Sequence, residues 1–331
     1  MILIFSQAND YSTFEVMKWL NHLGEFDVLR INSNESNAIT FNVRNSDFCL
    51  CVNGSSVALS DIGAVWYRKG FNWLGGQFAQ VDIDGRSRLT TYLNNVARKE
   101  NNKLSEYLHY LIEQTVPVLG SAFKSDLNKL TTLNLARTVG LKTPECHVVN
   151  ERQLAARLLE DGHQYIAKAM SDGIYLFDSE KDRKGYFTYT ESLDADSLAG
   201  YPERIPPSFL QSKIKKNYEV RVFYLDGRFF SWAIISQSSA QTSTDYRKYD
   251  LQKPNRVVPY SLPEHLEQKL LDLFRKIGLN TGSVDLMVDS ENEHYFLEIN
   301  PVGQFGALSK MTNYQLELEI ARWLIEHAKL R

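Results

Sequence analysis

Cysteine is scarce in this chain, which has three among its 331 residues: Cys49, Cys51 and Cys146. An odd count without a CxxC pair indicates neither a disulfide framework nor a zinc site. We therefore expect three free thiols, buried as unpaired cysteines usually are.

Long hydrophobic runs are also lacking. No apolar stretch approaches the roughly 18 residues that a membrane-spanning helix needs. The start, MILIFSQANDYS, has one short apolar run and no basic segment before it, so it does not resemble a signal peptide. These absences predict a cytoplasmic protein without a membrane partner.

The chain has no excess of positive charge: 37 Lys and Arg stand against 40 Asp and Glu, for a net charge of -3. Broad binding to nucleic acid depends on such an excess, so we expect no nucleic-acid partner. The length exceeds what one core usually holds, about 250 to 300 residues, and predicts two or three domains.

The pattern of apolar residues predicts a first domain over residues 1–118. A strand, a helix and a second strand open the chain as a βαβ unit, although no GxGxxG follows the first strand. Further strands and then one or two helices complete this domain. The predicted ranges are 2–5, 13–24, 27–32, 40–67 and 86–116.

The remainder predicts a central domain over 119–208 and a C-terminal domain over 209–331. The central part combines a helix that starts at Ser125 with strands, a second helix and a polar loop or hairpin. The C-terminal part predicts one antiparallel sheet, a polar insertion at 236–263 and a final helix at about 313–329. The sheet strands are SFLQSKI, YEVRVFYLDGRFFSWAIIS and GSVDLMVDSENEHYFLEIN.

The stretch HYFLEINPVGQFG, residues 294–306, places Glu298 and Asn300 on one face of an apolar strand, because strand side chains alternate. A four-residue loop between VDLMVD and HYFLEIN would pair Asp289 with His294 and Asp285 with Glu298. Two carboxylates about 4 Å apart repel by roughly 4 kcal/mol at an effective dielectric of about 20. A cation is therefore expected, and hard oxygen ligands favour magnesium or manganese over zinc. The alternative is a solvated sheet face.

Cations for a nucleotide's phosphates are predicted elsewhere. Lys129 lies in a helix, and Lys168 lies inside the apolar strand YIAKAM, where an unpaired ammonium would be costly. Arg221 and Glu219 share a strand face and suit a phosphate and a ribose hydroxyl respectively. The alternatives are an ordinary helix lysine, a lysine extending from a strand end, and an ion pair between Arg221 and Glu219.

The order of these motifs resembles the ATP-grasp superfamily over roughly residues 119–331, most closely its glutamate-ligase-like branch. The motifs are NK, a strand lysine, QxxI, ExRV, VDxxxD and LEINP. The resemblance implies an α/β and α+β fold, with a Rossmann-like N-terminal domain, a central α+β subdomain and a C-terminal antiparallel-sheet subdomain. It also implies ATP and magnesium, with two ions and with manganese as a substitute, and ligation through an acyl phosphate.

The same resemblance assigns roles to residues. It implies that Lys129 and Lys168 bind phosphates, and that Arg221 steadies the transferred phosphoryl group together with Lys168. It also implies a ribose ligand, Glu219. The adenine hinge would be formed by Gln211, Ser212, Lys213 and Ile214. The metal site would be formed by Asp285, Glu298 and Asn300. Ser212 departs from the glutamate usual at its hinge position, and the loop after Lys168 has fewer glycines than is common.

Two stretches carry a narrower resemblance, VWYRKG at 65–70 and DYRKYDLQKPNRVVPYSLP at 245–263. They are similar to the peptide maturases of microviridin-type and grasp-with-spasm clusters, called graspetide synthetases. That family implies a ribosomal precursor peptide, with a leader and a core, as partner. Substrate candidates are Arg68, Arg247 and Arg256 as extra cations for a peptide carboxylate, and Asp245 at the start of the second stretch. Surface ion pairs are the alternative for the arginines.

Three functions remain open at this point. The first is an ATP-dependent macrocyclase that phosphorylates Asp or Glu side chains and forms esters with Ser or Thr or amides with Lys. The second is a ligase of the glutamate-ligase type that acts on a free amino acid or a protein tail. The third is an ATP-binding regulator without catalysis, which the retained Arg221 disfavours. The resemblance also allows a homodimer.

Overall fold

The computed structural model describes residues 1–35, 38–69, 82–83, 86–160, 162–171, 173, 175–178, 184–188, 190–236 and 256–329. They form two compact units. The first contains Met1–Asp126, Leu279–Gly282 and Pro301–Arg331, and the second contains Leu127–Gly278 and Ser283–Asn300. The three-domain division of the sequence stays a prediction.

The first unit contains a parallel sheet, as the predicted βαβ opening requires. β1 and β6 form its centre, β2 and β7 flank them, and a separate antiparallel sheet contains β3, β4 and β5. The prediction of one or two helices over 86–116 is confirmed by the single long helix α2. The elements are β1 (Ile2–Ser6), α1 (Tyr11–His22), β2 (Val28–Asn32), β3 (Ile39–Arg44), β4 (Asp47–Val52), β5 (Ser55–Ala58), a 3-10 helix (Leu59–Asp61), β6 (Ala64–Tyr67), α2 (Ser87–Thr115) and β7 (Val118–Leu119).

Gly120 ends β7 in a conformation that favours glycine, with φ at +85°. A Cβ there would lie 2.9 Å from the Tyr67 carbonyl oxygen, closer than side chains approach a backbone. We expect Gly120→Ala to lower the free energy of unfolding by about 1–3 kcal/mol, the usual cost of a left-handed non-glycine residue, with the clash added. Thermal denaturation of both proteins measures the difference.

Gly24 is the matched control, because its φ is +84° and a Cβ added there would have no atom within 4 Å. Gly24→Ala therefore measures the free-energy cost of a left-handed alanine without a steric clash. Equal losses for the two variants would show that contact with Tyr67 contributes nothing.

The second unit begins with helices packed on a four-stranded antiparallel sheet, in the order β12, β9, β13, β8. The helix predicted from Ser125 starts four residues later, because the Asn128 side chain caps it by accepting from the Thr131 N–H at 3.0 Å. The elements are α3 (Lys129–Thr138), β8 (Cys146–Glu151), α4 (Arg152–Glu160), β9 (Tyr165–Lys168), β10 (Tyr175–Asp178), β11 (Lys184–Phe187), β12 (Glu191–Leu193), α5 (Ala195–Ala199) and β13 (Arg204–Ser212). β10 and β11 form a separate hairpin.

A second sheet in this unit has five strands in the order β16, β15, β14, β17, β18. The prediction that SFLQSKI belongs to it was wrong, since β13 pairs with β8 and β9 instead. The apolar face of α6 buries Leu266, Leu270, Leu273 and Phe274. The elements are β14 (Lys216–Leu225), β15 (Arg228–Ile235), β16 (Arg256–Tyr260), α6 (Glu264–Ile277), β17 (Thr281–Asp289) and β18 (His294–Asn300).

The C-terminal residues form two helices, α7 (Gly306–Thr312) and α8 (Leu316–Lys329), in the first unit. The final helix predicted at about 313–329 is confirmed as α8, whereas α7 was not predicted. Asn313 ends α7 with φ at +57°, a left-handed conformation that asparagine tolerates. The Leu316 N–H then donates to Ser309 Oγ at 2.9 Å and starts α8, which packs against α1 and β6.

Two simpler expectations can be compared directly. All three cysteines are free, as predicted, but Cys49 is exposed and Cys51 and Cys146 are partly exposed, so the expectation of buried thiols was wrong. No helix in the described ranges combines the length and the apolar character needed to cross a membrane.

Candidate active site

The hairpin of β17 and β18 places Asp285 directly opposite Glu298, as the sequence predicted. The predicted loop was wrong by one residue, because His294 pairs with Val288 and not with Asp289. The turn is tighter than a four-residue loop: the Asp289 N–H donates to the Glu293 carbonyl at 3.2 Å.

A β-bulge offsets this shift. Leu286 pairs with Phe296 and Asp285 with Glu298, so Leu297 is the extra residue of the bulged strand. A one-residue slip turns a strand's side chains to the other face. The bulge therefore restores Glu298 to the face of Asp285, so that the two residues are cross-strand partners on one face of the sheet.

Lys129 brings the first positive charge to these carboxylates. It is the first residue of α3, and its Nζ lies 3.0 Å from Glu298 Oε2. The same ammonium donates to the Ala169 carbonyl oxygen, also at 3.0 Å. Lys129 therefore joins the end of β9 to β18, and its side chain is only 19% exposed.

Arg221 brings the second positive charge. Its Nη1 lies 3.2 Å from Asp285 Oδ1 and 3.4 Å from Oδ2. Glu219, the partner in the alternative interpretation, forms an ion pair with Lys216, and both of those residues are buried. Arg221 is thus directed at the predicted metal ligand and Glu219 at a lysine.

The donor chemistry at this hairpin fits magnesium. Asp285 and Glu298 offer carboxylate oxygens, and Asn300, which pairs with Ser283 two residues along the ladder, adds an amide oxygen. No cluster of three His, Cys, Asp or Glu side chains suited to a metal occurs within the described ranges. A metal ion here would therefore draw on two carboxylates and would leave the remaining positions to the amide, water or phosphate oxygens.

Lys168 is the last residue of β9 and lines a cleft of about 390 Å³. It pairs with Phe209 of β13, which contributes an apolar wall. The other lining residues are Ala167, Ala169, Met170, Thr188, Glu191, Pro207 and Ser208. The cleft combines apolar surface, which suits a nucleotide base, with the Lys168 ammonium, which suits a phosphate, and with the polar side chains of Thr188, Glu191 and Ser208.

The predicted adenine hinge, Gln211 to Ile214, contains the last two residues of β13 and the two residues after it. The Ser212 N–H donates to the Glu145 carbonyl at 2.8 Å, and the Lys213 N–H donates to the Gln164 carbonyl at 2.7 Å. The Lys213 ammonium contacts Ser192 Oγ at 3.0 Å. Adenine would therefore have to use other backbone groups of the hinge, and the assignment of Gln211, Ser212, Lys213 and Ile214 stays a prediction.

Arg68, a predicted substrate cation, is 3% exposed in the first unit. Its Nη1 donates to the Val302 and Gly303 carbonyls at 2.7 and 3.1 Å, and its Nη2 donates to Gln304 Oε1 at 2.8 Å. Its Nε lies 3.4 Å from Asp10 Oδ1. A substrate carboxylate would have to displace these partners.

The Asp10 carboxyl shows how strongly this cluster is charged. Burial raises the pKa of Asp10, but Arg68, hydrogen bonds from Thr13 and the ammonium of Lys69 together outweigh burial and hold the pKa below its ordinary value. Asp10 also caps α1, since it accepts from the Thr13 N–H at 2.8 Å. The carboxylate is therefore charged at neutral pH and needs its cations.

Of the remaining substrate candidates, only Arg256 lies within the described residues. Arg256 is exposed at the start of β16, the edge strand of the five-stranded sheet. Asp245 and Arg247 lie outside the described residues. Their assignment stays a prediction.

Sequence reasoning missed Lys216 and the Ala169 carbonyl. Lys216 lies three residues before Glu219, a spacing that puts side chains on opposite faces of a regular strand, so periodicity gave no signal for their contact. A backbone acceptor such as Ala169 leaves no mark in the sequence. Both contacts can be identified only from the folded structure.

Solved structures with this fold cover nearly the whole chain. A RiPP-associated ATP-grasp ligase from Chryseobacterium gregarium, in complex with ADP and a leader and core peptide, is 24% identical with a TM-score of 0.78, over 98% of this chain and 96% of that chain. The macrocyclase MdnC from Microcystis aeruginosa MRC, bound with precursor peptide MdnA, is 22% identical with a TM-score of 0.73, over 98% and 99%. The ATP-grasp ligase PsnB, complexed with minimal precursor, Mg and ADP, is 16% identical with a TM-score of 0.72, over 99% and 97%.

No protein-family model matches the chain, and neither does any curated protein sequence. The structural similarity shows the fold of these ATP-grasp ligases, as the order of motifs predicted, and the matches also include the N-terminal residues outside the range of those motifs.

Proposed function

We propose that this chain is an ATP-dependent peptide macrocyclase. Its substrate is a ribosomally made precursor peptide with a leader and a core. The enzyme phosphorylates Asp or Glu side chains of the core, and Ser or Thr hydroxyls or Lys amines then attack to give ester or amide crosslinks.

One observation carries the proposal. A hairpin that holds two opposed carboxylates, each paired with a cation, occurs in a chain whose full length shares the fold of ligases solved with ADP and precursor peptides. The carboxylates supply negative charge for a metal ion, and their paired cations supply positive charge for the phosphates, as a metal–triphosphate complex requires. The peptide substrate is inferred from the two stretches in the sequence and from the peptides that those ligases bind.

The chemistry follows from the leaving group. A carboxylate resists attack until one of its oxygens carries a phosphoryl group, which ATP donates with release of ADP. The attacking hydroxyl or amine then displaces phosphate and loses its proton, so each crosslink removes one water from the peptide. The enzyme contributes mainly positioning and charge neutralisation.

Roles for individual residues complete the proposal. Lys129 and Lys168 hold phosphate oxygens, Arg221 steadies the transferred phosphoryl group, and Asp285 and Glu298 hold magnesium with Asn300. Magnesium, when bound, neutralises phosphate charge. The fixed cations and carboxylates orient the complex towards the peptide carboxylate, which Arg256, Arg247 and Arg68 are proposed to meet. Asp245 is proposed as a further substrate contact.

Mass spectrometry tests the function directly. The protein is incubated with ATP, magnesium and the peptide encoded by a neighbouring small open reading frame that has Thr or Ser near Asp or Glu. We expect ADP release and a peptide that loses the mass of one water per crosslink.

The same experiment distinguishes the alternatives. A gain of the mass of an added residue would indicate a ligase that extends a tail. Binding of ATP without ADP release for any acidic peptide would indicate a regulator. Omission of magnesium is the control, and it should stop both ADP release and water loss.

A further inference from the structure

In each of the two ion pairs of the hairpin, a residue assigned to phosphate contacts a residue assigned to metal. Lys129, assigned to phosphate, contacts Glu298, assigned to metal, at 3.0 Å. Arg221, also assigned to phosphate, contacts Asp285, also assigned to metal, at 3.2 Å. Both carboxylates among the proposed metal ligands therefore already have a cation of the chain as partner.

Partial burial strengthens the electrostatic attraction within these two ion pairs. The Lys129 and Glu298 side chains are 19% and 35% exposed, and those of Arg221 and Asp285 are 10% and 22% exposed. Charges that are this far from bulk water interact more strongly than a surface pair does. Lys129 is further fixed by its bond to the Ala169 carbonyl, so its ammonium cannot withdraw without losing two partners.

A divalent cation that enters between Asp285 and Glu298 must compete with Lys129 and Arg221 for the two carboxylates. It would also repel the ammonium and the guanidinium at short range. A triphosphate changes this balance, because its oxygens offer both cations new partners while the carboxylates become available to the metal. Nucleotide and metal should thus strengthen each other's binding, and such coupling is reciprocal.

We propose that Lys129 and Arg221 act as internal counter-ions that exclude divalent metal from the Asp285 and Glu298 pair until nucleotide phosphates take them over. This inference rests on the proposed use of ATP and magnesium. It adds the expectation that loss of Lys129 changes two affinities in opposite directions: the affinity for nucleotide falls, and the affinity for metal alone rises.

The test measures Mn²⁺ binding to the purified full-length protein without nucleotide, from the electron paramagnetic resonance signal of free Mn²⁺. We expect Lys129→Met to bind Mn²⁺ about tenfold more tightly than the wild type, which corresponds to about 1.4 kcal/mol. In a parallel titration, ADP affinity should fall, and the gain in ADP affinity produced by Mn²⁺ should shrink.

Three further variants make the result specific. Lys142→Met removes another lysine paired with a glutamate of the same unit, Glu293 at 2.7 Å, and should leave Mn²⁺ affinity unchanged. Lys129→Met combined with Glu298→Gln should lose the gain, because the tighter binding depends on the released carboxylate. Arg221→Met should show the same gain through Asp285 and replaces Lys129→Met if that variant does not fold.

The outcomes separate this inference from the proposed function. Mn²⁺ affinity that is unchanged or weaker in both Lys129→Met and Arg221→Met would overturn the counter-ion role, even if the wild type binds Mn²⁺ and ADP together. Failure of the wild type to bind ADP with Mn²⁺ under any condition would overturn the proposed function as well.

Discussion

Glu298→Ala is expected to abolish ADP release at every magnesium concentration. The substitution removes one of the two opposed carboxylates and leaves Asp285 as the only acidic ligand of the pair. Loss of an outer partner of a metal site already costs about 10–100-fold in affinity or activity, and loss of a ligand should cost more. Initial rates of ADP release, measured across a magnesium titration with a fixed peptide, give the result.

Glu293→Ala is the matched control. Glu293 lies in the turn of the same hairpin, and its carboxylate pairs at 2.7 Å with Lys142 on the surface, where the two side chains are 45% and 56% exposed. Its removal should leave the rate nearly unchanged, and circular dichroism should show both variants folded. Turnover of Glu298→Ala that recovers at high magnesium would mean that Glu298 tunes affinity only, and undiminished turnover would remove it from the site.

The hairpin shows how far the sequence can predict a site. Alternation along HYFLEIN correctly identified the face of Glu298 and Asn300, because that rule depends only on strand geometry. The pairing of Asp285 with Glu298 was predicted from a loop one residue too long, and the bulge at Leu297 cancelled the error. A bulge depends on packing between strands, so the local sequence contains no reliable signal for it.

Charge partners were harder to predict than charged ligands. Lys129 and Arg221 were identified as cations near a phosphate, but their pairing with Glu298 and Asp285 joins elements more than 60 residues apart along the chain. Arg68 is the extreme case. It was expected to meet a substrate, yet it contacts Asp10, 58 residues away, and Val302, 234 residues away. Only the folded chain brings such residues together.

The burial of Arg68 leads to the second large expected effect. Arg68→Met should lower the free energy of unfolding by about 3–5 kcal/mol, the usual cost of removing one member of a buried ion pair. The Asp10 carboxylate would lose a cation, and the carbonyls of Val302 and Gly303 would lose their donor. Denaturant titration followed by tryptophan fluorescence measures the loss.

Two comparisons decide whether the buried pair is the cause. Arg322→Met removes an arginine that is 59% exposed and paired with Glu319 at 3.0 Å, and should cost no more than about 1 kcal/mol. Adding Asp10→Asn to Arg68→Met should recover part of the loss, because asparagine still caps α1 but carries no charge. A loss for Arg68→Met no larger than that for Arg322→Met would mean that the buried guanidinium does not hold the loop after β18, and would leave the proposed substrate contact as the role of Arg68.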